Sequence, residues 1–346
     1  MGKIALINDT HLGCRNDNPN YHEYIYKFWE EQFFPYIEQN NIDTIIHLGD
    51  VLDRRKYVNF KTLQDFNERI VKRLNDYNVH IIVGNHDTYY KNTNNVNAPQ
   101  ELLSQYHVYS QPTKVTIDDM NMLMIPWVTP ENYDKTKMML EQESADIVLG
   151  HLEIKGFEMF NGAYADSGLE RKLFRRFEKV LSGHFHKKSD DGQIYYLGTQ
   201  YQITWNDYEC PKGFHIFDTE TRELTRVPNP ITIFKKIYYD DKKTNYAEED
   251  ISVDDKSFIK LFVVNKNNEE KFDKFVNRLH TEIDLHELNI IDEDQSDITA
   301  SVREDILDQS EDTLTFLGNY VEQIDTDLDR QRLKDFINKL YKEALE

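Results

Sequence analysis

Short apolar runs alternate with amphipathic segments from the beginning of the chain to about residue 230. The segments at residues 24–39 and 61–77 have apolar residues three or four positions apart, which is typical of a helix that covers a core. The runs between them are short and bounded by polar residues, as buried strands are. This alternation predicts βαβ units and an α/β fold. Five runs that are followed by possible metal ligands are interpreted as buried strands: residues 4–7, 44–48, 79–83, 147–149 and 180–181. Further strands are expected at 121–125, 194–197 and 214–217.

A change of pattern near Pro228 and Pro230 is typical of a domain boundary. Residues 231–292 have the alternation of a second, smaller α/β domain, and residues 293–346 carry the apolar stripes of two amphipathic helices. We therefore expect three parts, with the bounds 1–230, 231–292 and 293–346. In the second part, strands are expected at 231–239, 257–264 and 286–291, and a helix at 269–283.

Each of five buried-strand runs is followed by a segment that ends in a polar residue able to bind a metal, and in four of them a glycine comes directly before the polar residues. Strand ends at one edge of an α/β sheet bring distant parts of a chain into one crevice, so we expect these segments to meet. They are Asp9-Thr10-His11, Gly49-Asp50-Val51-Leu52-Asp53, Gly84-Asn85-His86-Asp87, Gly150-His151 and Gly183-His184-Phe185-His186.

The side chains in these segments are suitable ligands for divalent metal ions. Asp9 and His11 are two positions apart and would face the same way in an extended segment, as would His184 and His186. Carboxylate, imidazole and amide ligands without thiolates favour manganese, with magnesium, iron and zinc as alternatives. Two ions can act together on one phosphate, and Asp50 is placed to bridge them. The expected ligands are Asp9, His11, Asp50, Asn85, His151, His184 and His186.

His86 and Asp87 are the expected catalytic residues beside these ligands. Because neighbours in an extended chain point apart, His86 would not bind the ion that Asn85 binds. It would instead reach the phosphate and stabilise charge or protonate the leaving oxygen. Asp87 would orient the imidazole of His86 by accepting its second N–H. A single histidine at a strand end is more often structural, and we interpret the remaining ones in that way: His22, His47, His80, His107, His215, His280 and His286.

The formal net charge of −21 argues against non-specific adhesion to DNA or anionic membranes, although a metal and a local basic patch would still allow a nucleic-acid substrate. Cys14 and Cys210 have no metal-site spacing and are expected to be free thiols in a reducing compartment. No apolar run approaches the ~20 residues of a membrane span, and no signal-peptide pattern precedes the first strand. We expect a cytoplasmic protein without a membrane partner, in the host cytoplasm if its source is a phage rather than a bacterium.

The motif order D-x-H, G-D-x-x-D, G-N-H-D, G-H, G-H-x-H resembles that of the calcineurin-like metallophosphoesterases, over about residues 1–220. The resemblance implies a β-sandwich flanked by helices, with His86 as the catalytic histidine. It implies that one metal is held by Asp9, His11, Asp50 and His186, and the other by Asp50, Asn85, His151 and His184. Among the DNA repair nucleases of this superfamily, archaeal and eukaryotic members carry a histidine in the second motif where this chain has Asp53, whereas bacterial and phage members resemble this chain there. Asp53 is therefore expected to orient a ligand rather than to bind the metal.

The layout of the whole chain is similar to that of the SbcD-type DNA repair nucleases, the meiotic-recombination-eleven family and its tailed-phage counterparts. Residues 83–87, 89–92 and 97–99 resemble the phage branch. This resemblance implies a manganese-dependent DNA exonuclease and endonuclease for end processing, replication, recombination and repair. It also implies that residues 231–292 form a DNA-capping domain and that a helical hairpin in residues 293–346 binds an SbcC-type, SMC-like ATPase. A homodimer, formed through the helix at 61–77, is a further expectation.

Basic residues lie next to the metal motifs although the chain as a whole is acidic, which indicates a track for a phosphate backbone. A solvated helix face is an equally good explanation of the basic residues at 169–179. Tyrosines after the third motif are candidates for stacking on bases, and ordinary loop packing is the alternative. The candidate DNA contacts are Arg54, Arg55, Lys56, Tyr89, Tyr90, Lys91, Lys187 and Lys188.

Three other functions share parts of this pattern. A protein phosphatase has a similar second motif, but Arg55 stands where those enzymes have glycine and Asp87 where they have glutamate. A cyclic-nucleotide phosphodiesterase shares the core motifs and would not need the terminal helices. A scaffold that has lost catalysis would show a broken ligand set, whereas every ligand position here is filled.

Overall fold

The computed structural model describes residues 2–160, 163–247, 251, 253 and 255–292, together with a few positions between 321 and 337. The chain divides into two compact units, which are described separately: Met1–Ile203 with Glu209–Thr232, and Thr204–Tyr208 with Ile233–Glu346. The hairpin expected in residues 293–346 lies outside the described residues, apart from those few positions. The capping and partner-binding roles of residues 231–346 stay predictions.

The strands, in chain order, have the following bounds. They are β1 (Lys3–Ile7), β2 (Thr44–His47), β3 (Asn78–Ile82), β4 (His107–Tyr109), β5 (Thr113–Ile117), β6 (Met120–Ile125), β7 (Ile147–His151), β8 (Glu158–Phe160), β9 (Ala163–Tyr164), β10 (Lys179–Gly183), β11 (Ser189–Asp190), β12 (Ile194–Tyr196), β13 (Lys212–Asp218), β14 (Leu224–Asn229), β15 (Phe234–Asp240), β16 (Phe258–Asn265) and β17 (Glu287–Asp292).

Two six-stranded sheets form the first unit, in the orders β14-β13-β1-β2-β3-β4 and β11-β12-β10-β7-β6-β5. In each sheet four neighbouring strands run parallel: β1, β2, β3 and β4 in the first, and β12, β10, β7 and β6 in the second. The other strands join them antiparallel. The carboxyl ends of the parallel strands in each sheet therefore lie at one edge.

The two sheets pack face to face around one apolar cluster. Leu6 and Ile46 from the first sheet share that cluster with Met124, Ile147 and Leu149 from the second. Side chains alternate across a strand, so Val148 points to the opposite face of the second sheet and packs there with Leu140. Burial on both faces explains why these strands are continuous apolar runs in the sequence.

Helices cover the outer faces of the sandwich. Pro19–Phe28, Trp29–Phe33 and Phe34–Gln39 follow one another without a break, and Phe33 contacts Phe214 of β13 with ring centroids 5.0 Å apart. The remaining helical segments are Cys14–Asp17, Phe60–Phe66, Asn67–Val71, Lys72–Leu74, Ala98–Leu102, Tyr133–Gln142, Arg171–Phe174, Trp205–Asp207 and Glu269–Glu282.

Helix starts follow the expected chemistry. Asn18 accepts hydrogen bonds from the backbone N–H groups of Asn20 and Tyr21, and Pro19 occupies the first position of the helix. Asn59 caps the helix that begins at Phe60 in the same way. The helices predicted at 24–39 and 61–77 are thus present, with earlier starts that the caps explain.

The second unit contains a parallel sheet in the order β15-β16-β17. Phe272, Phe275 and Leu279 of the helix Glu269–Glu282 pack on Leu261 and Val263 of β16. All three strands and the helix expected in residues 231–292 are present, although β15 begins at Phe234 and not at residue 231.

The mixed α/β sandwich with flanking helices agrees with the predicted fold class. No helix in the described part of the chain is long and apolar enough to span a membrane.

Candidate metal centre and active site

All five motifs lie at the carboxyl ends of parallel strands of the two sheets. The segments with Asp9, Asp50 and Asn85 follow β1, β2 and β3 of the first sheet, whereas His151 ends β7 and His184 follows β10 of the second. Residues from distant parts of the chain thereby come within contact of one another, as the distances below show.

The loops that carry the acidic residues adopt backbone conformations that are uncommon for residues with a side chain. Asp9, His11, Asp50 and His184 all have positive φ angles, of 49°, 43°, 57° and 88°. Such strain persists only where the surroundings enforce it, and it clusters at functional sites. Here backbone hydrogen bonds enforce it: Asp9 N–H donates to the carbonyl of Gly49 at 2.9 Å, and His11 N–H to that of Asp50 at 3.1 Å.

Two glycines allow the motifs to approach closely. A Cβ at Gly49, whose φ is 97°, would overlap the imidazole of His151, and a Cβ at Gly84 would overlap the carboxylate of Asp50. Glycine is therefore needed at both positions because the neighbouring motif occupies the space of a side chain.

One group of side chains brings together Asp9, His11 and His186, whose ligand atoms lie within 4.8 Å of one another. The Nε2 atoms of His11 and His186 are 3.2 Å apart. His11 Nε2 lies 4.0 Å from Asp9 Oδ1 and 3.7 Å from Asp50 Oδ2. His11 and Asp9 are buried, and His186 is partly exposed.

A second group surrounds the amide oxygen of Asn85. This oxygen lies 2.8 Å from His151 Nε2 and 3.1 Å from His184 Nδ1. His151 Nε2 is also 3.2 Å from Asp50 Oδ2. The Nδ1 atom of His151 is 2.8 Å from the carbonyl of Leu48, which fixes the ring with Nε2 directed at the group.

Asp50 belongs to both groups. Its Oδ2 atom is 3.7 Å from His11 in the first group and 3.2 Å from His151 in the second. The side chain is almost fully buried and is held by the backbone N–H of His86, which donates to Oδ1 at 2.8 Å. A carboxylate in this position is suited to bridging two cations.

The donor atoms of these side chains are suitable for binding divalent metals. Imidazole nitrogens, carboxylates and one amide oxygen are directed at each other, without thiolates, which is a hard-to-borderline ligand set. The Nε2 atoms of His11 and His186 face each other at 3.2 Å. One tautomer would satisfy this approach with a hydrogen bond, and a cation bound by both nitrogens would satisfy it as well. The structure therefore brings together the seven side chains that the sequence indicated, and their role as metal ligands stays a prediction.

The charged side chains in the two groups shift one another's pKa values. Burial alone would raise the pKa of the Asp50 carboxyl, but His151, His86 and His11 hold it well below its usual value. Burial would lower the pKa of His151, yet the nearby Asp50 and Asp9 carboxylates raise it to about 10. The buried carboxylates therefore present a negative field that favours cations.

Asp53 contacts both histidines near the first group. Its carboxylate oxygen Oδ1 lies 3.3 Å from His11 Nδ1, and its backbone carbonyl lies 2.6 Å from His86 Nδ1. The contact with His11 leaves Nε2 as the nitrogen that faces Asp9 and Asp50. This geometry agrees with the expected orienting role of Asp53.

The imidazole of His86 stands at the edge of the first group, with its ring 4.7 Å from that of His11. Because a carbonyl oxygen only accepts hydrogen bonds, the contact with Asp53 places a hydrogen on Nδ1. The Nε2 atom is then the nitrogen that remains for a substrate. His86 is partly exposed, whereas most of the ligands are buried.

The prediction that Asp87 accepts a hydrogen bond from the ring of His86 is wrong. The buried Asp87 carboxylate instead accepts backbone N–H groups of Asp50, Val51 and Gly84 at 2.9 Å and of Leu52 at 3.2 Å. The chain turns after His86, so the carboxylate points back beneath the second motif while the imidazole points out. Asp87 thus fixes the loop that carries Asp50.

The chain matches the model of the calcineurin-like phosphoesterase family over residues 2–188. The chain belongs to this family. The resemblance stated from the five motifs is confirmed, and with it the α/β phosphoesterase fold.

Two relatives of this phosphoesterase have names that refer to an exonuclease or to DNA repair. The chain is 33% identical over 354 aligned residues to Exonuclease subunit 1 of Enterobacteria phage T4, which covers 99% of both chains. It is 27% identical over 206 residues to the DNA double-strand break repair protein Mre11 of Sulfurisphaera tokodaii, covering 56% of this chain and 52% of that one. Among solved structures, a novel archaeal phosphodiesterase matches with a TM-score of 0.32 and 16% identity, over 66% of this chain and 99% of that one.

Trp127 is a residue of the phosphoesterase site that the sequence interpretation missed. Its ring lies 4.9 Å from that of His184 and 6.1 Å from that of His151. Its carbonyl accepts hydrogen bonds from the side-chain amides of Asn94 and Asn132, at 2.8 and 3.0 Å. Trp127 follows the end of β6, so the strand-end rule that found the ligands would also have pointed to it.

The candidate DNA contacts of the phosphoesterase differ in their surroundings. Lys187 forms an ion pair with Glu158 at 2.9 Å, and Lys188 forms one with Asp190 at 3.0 Å. Acidic partners reduce the attraction of both lysines for phosphate. The assignment of all eight residues as DNA contacts stays a prediction.

The cations after the second motif are held differently. Arg54 forms an ion pair with Asp17 at 2.5 Å, and Arg55 donates to the hydroxyl of Thr88 at 3.2 Å. Lys56 is exposed, and its Nζ atom lies 5.7 Å from the ring centre of Tyr89. This stretch therefore joins the loop of the third motif.

Proposed function

We propose that this phosphoesterase is a two-metal DNA nuclease subunit, an exonuclease and endonuclease that hydrolyses phosphodiester bonds in end processing, replication, recombination and repair. The observation that carries the proposal is the position of the Asp50 carboxylate between two groups of metal-binding side chains, 3.7 Å from His11 and 3.2 Å from His151. The relative with 33% identity over 99% of the chain is named an exonuclease subunit, which supports DNA as the substrate.

The proposed metal is manganese, and the ligands divide as the groups do. Asp9, His11 and His186 hold one ion, Asn85, His151 and His184 hold the other, and Asp50 is shared. When bound, such a pair clamps the attacking and leaving oxygens and supplies hydroxide near neutral pH. Backbone hydrogen bonds from Asp9 to Gly49 and from His11 to Asp50 hold the first two motifs together, which supports a site that is preorganised for its substrate.

His86 acts on the substrate phosphate. The hydrogen bond from Nδ1 to the carbonyl of Asp53 holds the ring and leaves Nε2 to face the phosphate. In the protonated form, Nε2–H donates to a phosphate oxygen and stabilises the charge that develops there, or gives its proton to the leaving oxygen. Asp87 acts indirectly, since it fixes the backbone between Asp50 and Leu52.

The proposed partners are DNA, a second copy of this chain and an SMC-like ATPase of the SbcC type. Residues 231–292 would cap the DNA, and the C-terminal helices would dock on the ATPase. The helix proposed for the homodimer begins at Phe60, which is 88% exposed.

The test is a cleavage assay on linear duplex and single-stranded DNA in manganese buffer, with and without the ATPase and ATP. His86→Ala should reduce cleavage by about 10²–10⁴-fold while manganese binding, measured by calorimetry, is retained. His107→Ala is a matched control because His107 lies on the edge strand β4, where its ring stacks on that of His80 within β3. Undiminished cleavage by His86→Ala would remove the proposed role of that residue.

Assays in the same manganese buffer distinguish DNA from the alternative substrates. Phosphopeptide and cyclic-nucleotide turnover should be slow beside DNA cleavage. Faster turnover of either one would identify a phosphoesterase of another class, and a protein that binds no manganese would revive the scaffold hypothesis.

A further inference from the structure

We propose that three exposed tyrosines beside His86 form a stacking surface for unpaired bases, so that the site selects strands or ends whose bases are not paired. This inference rests on the proposed function, because it names the substrate that the same site prefers. The surface, called here the aromatic platform, consists of Tyr57, Tyr89 and Tyr90 with the cations Arg54 and Lys56.

The aromatic platform is continuous with the active site. It is formed by the loops that leave the second and third motifs, and these loops are joined by short contacts. His86 donates to the carbonyl of Asp53 at 2.6 Å, and Arg55 donates to the hydroxyl of Thr88 at 3.2 Å. A strand whose phosphate reaches His86 would therefore have its neighbouring nucleotides over the platform.

The three tyrosine rings of the aromatic platform are exposed rather than packed into the core. The exposed fractions of Tyr57, Tyr89 and Tyr90 are 66%, 40% and 50%. A single exposed aromatic side chain is ordinary, but here three lie on two joined loops at the edge of the candidate catalytic site. Tyr89 and Tyr90 contact each other edge to face, with centroids 4.7 Å apart.

Cations alternate with the rings. The guanidinium carbon of Arg54 is 5.1 Å from the ring centre of Tyr57, and Nζ of Lys56 is 5.7 Å from that of Tyr89. Proteins that bind single-stranded nucleic acid combine the same two elements: positive charge follows the backbone, and aromatic rings stack on the bases. In a chain with a net charge of −21, this local arrangement is suited to a polyanion.

The loop that carries Tyr89 and Tyr90 is held in place at both ends. Tyr89 N–H donates to the carbonyl of Val96 at 2.9 Å, and Ala98 N–H donates to that of Asp87 at 2.8 Å. The side chain of Asn97 donates to the carbonyl of Asn94 at 2.8 Å. Binding to such a preorganised loop loses little conformational entropy.

The structure of DNA explains why this surface would select unpaired bases. Paired bases inside a duplex are stacked on their neighbours and expose no ring face, whereas unpaired bases do. Lys56 would attract the phosphates of either form, but the tyrosine rings can stack only on unpaired bases. We therefore expect the aromatic platform to favour single strands and frayed ends over blunt duplex ends.

The test uses the full-length protein in EDTA, which prevents cleavage, and compares binding to three probes. The probes are a single-stranded oligonucleotide with 2-aminopurine near one end, the same sequence as a blunt duplex, and a strand of equal length made of tetrahydrofuran abasic residues. The variant Tyr89→Ala/Tyr90→Ala removes both rings, and Tyr89→Phe/Tyr90→Phe is the matched control that keeps them.

The alanine variant should bind the single strand about 10-fold more weakly or worse and should lose the quenching of 2-aminopurine that stacking causes. The phenylalanine variant should behave like the wild type, and abasic strand and duplex should bind both variants alike. Equal weakening for all three probes would overturn the inference, because it would mean that only charge or loop structure had changed. Unchanged single-strand binding by the alanine variant would overturn it as well and would leave the tyrosines to a protein partner.

Cleavage of the abasic strand in manganese separates this inference from the proposed function. Hydrolysis of that strand by wild type and alanine variant at equal rates supports the nuclease and needs no base stacking. If the wild type stacks on 2-aminopurine but hydrolyses no DNA, the proposed function fails and the stacking surface stands.

Discussion

The Nε2 atoms of His11 and His186 lie 3.2 Å apart although the two residues are 175 positions apart in the chain. Burial, together with the neighbouring His11 and Lys212, lowers the pKa of His186 well below its usual value. For His11, burial acts in the same direction, but Asp53 and Asp50 outweigh it and raise the pKa to about 9. A cation held by both Nε2 atoms must displace the proton from His11, because only a neutral imidazole binds a metal.

Asp53 should control the affinity of this site without binding the metal. The variant Asp53→Ala removes the carboxylate 3.3 Å from His11 Nδ1, so the imidazole loses its fixed orientation. We expect a loss of about 10–100-fold in manganese affinity, measured by calorimetry. Asp43→Ala, at an exposed aspartate, is the control and should change nothing. An unaltered affinity in Asp53→Ala would contradict the orienting role.

Gly49 should be irreplaceable because of the space that His151 occupies. Gly49→Ala adds a methyl group that overlaps the imidazole, in addition to the strain at a φ of 97°. Gly192→Ala is the matched control, because Gly192 has a φ of 89° and open space around it. Chemical denaturation should show strain of about 1–3 kcal/mol in both variants and a further loss, together with weaker manganese binding, in Gly49→Ala alone. Equal losses in the two variants would mean that His151 does not need this contact.

The Asp87 carboxylate should contribute mainly to the stability of the fold, and to catalysis only through it. Asp87→Asn removes the charge that four backbone N–H groups share, and we expect the free energy of unfolding to fall by about 1–3 kcal/mol. Asp166→Asn, at an exposed residue, is the control. A variant of unchanged stability that nevertheless lost DNA cleavage would restore the role of orienting His86.

Trp127 should report metal binding by fluorescence. Its indole lies 4.9 Å from the ring of His184, whereas Trp29 is buried against Phe28, Phe33 and Phe34. A paramagnetic ion held by His184 would quench Trp127 strongly because of this short distance. Trp127→Phe should therefore abolish most of the manganese-dependent change in emission. Quenching that survives in Trp127→Phe would place the ion away from His184.

Much of the fold was predictable because the central strands are buried on both faces. Residues 147–149, for instance, contribute to clusters on both sides of the second sheet and so form an uninterrupted apolar run. The strands β4, β5 and β14 were missed because they lie at sheet edges, where exposed positions interrupt the run. The helix Tyr133–Gln142 was missed for a similar reason, since it buries only Thr136, Met139 and Leu140.

The convergence of the candidate ligands was predictable for a geometric reason, and this reason does not apply to every residue beside them. Strand ends meet at a sheet edge, so residues directly after a strand converge whatever lies between them in sequence. The direction of a side chain further along the loop depends on φ angles that the sequence does not reveal. Asp50, for example, has a φ of 57°, and this turn brings its backbone N–H to the Asp87 carboxylate. The sequence therefore identified Asp87 but not its partner.

The most direct test of the account is a manganese titration by calorimetry that counts the ions bound per chain. With Asp50 shared between the two groups, the wild type should bind two ions, and Asp50→Ala should lose high affinity for both. A wild type that binds a single ion, or an Asp50→Ala variant that still binds two with unchanged affinity, would contradict the shared carboxylate and the two-metal mechanism that depends on it.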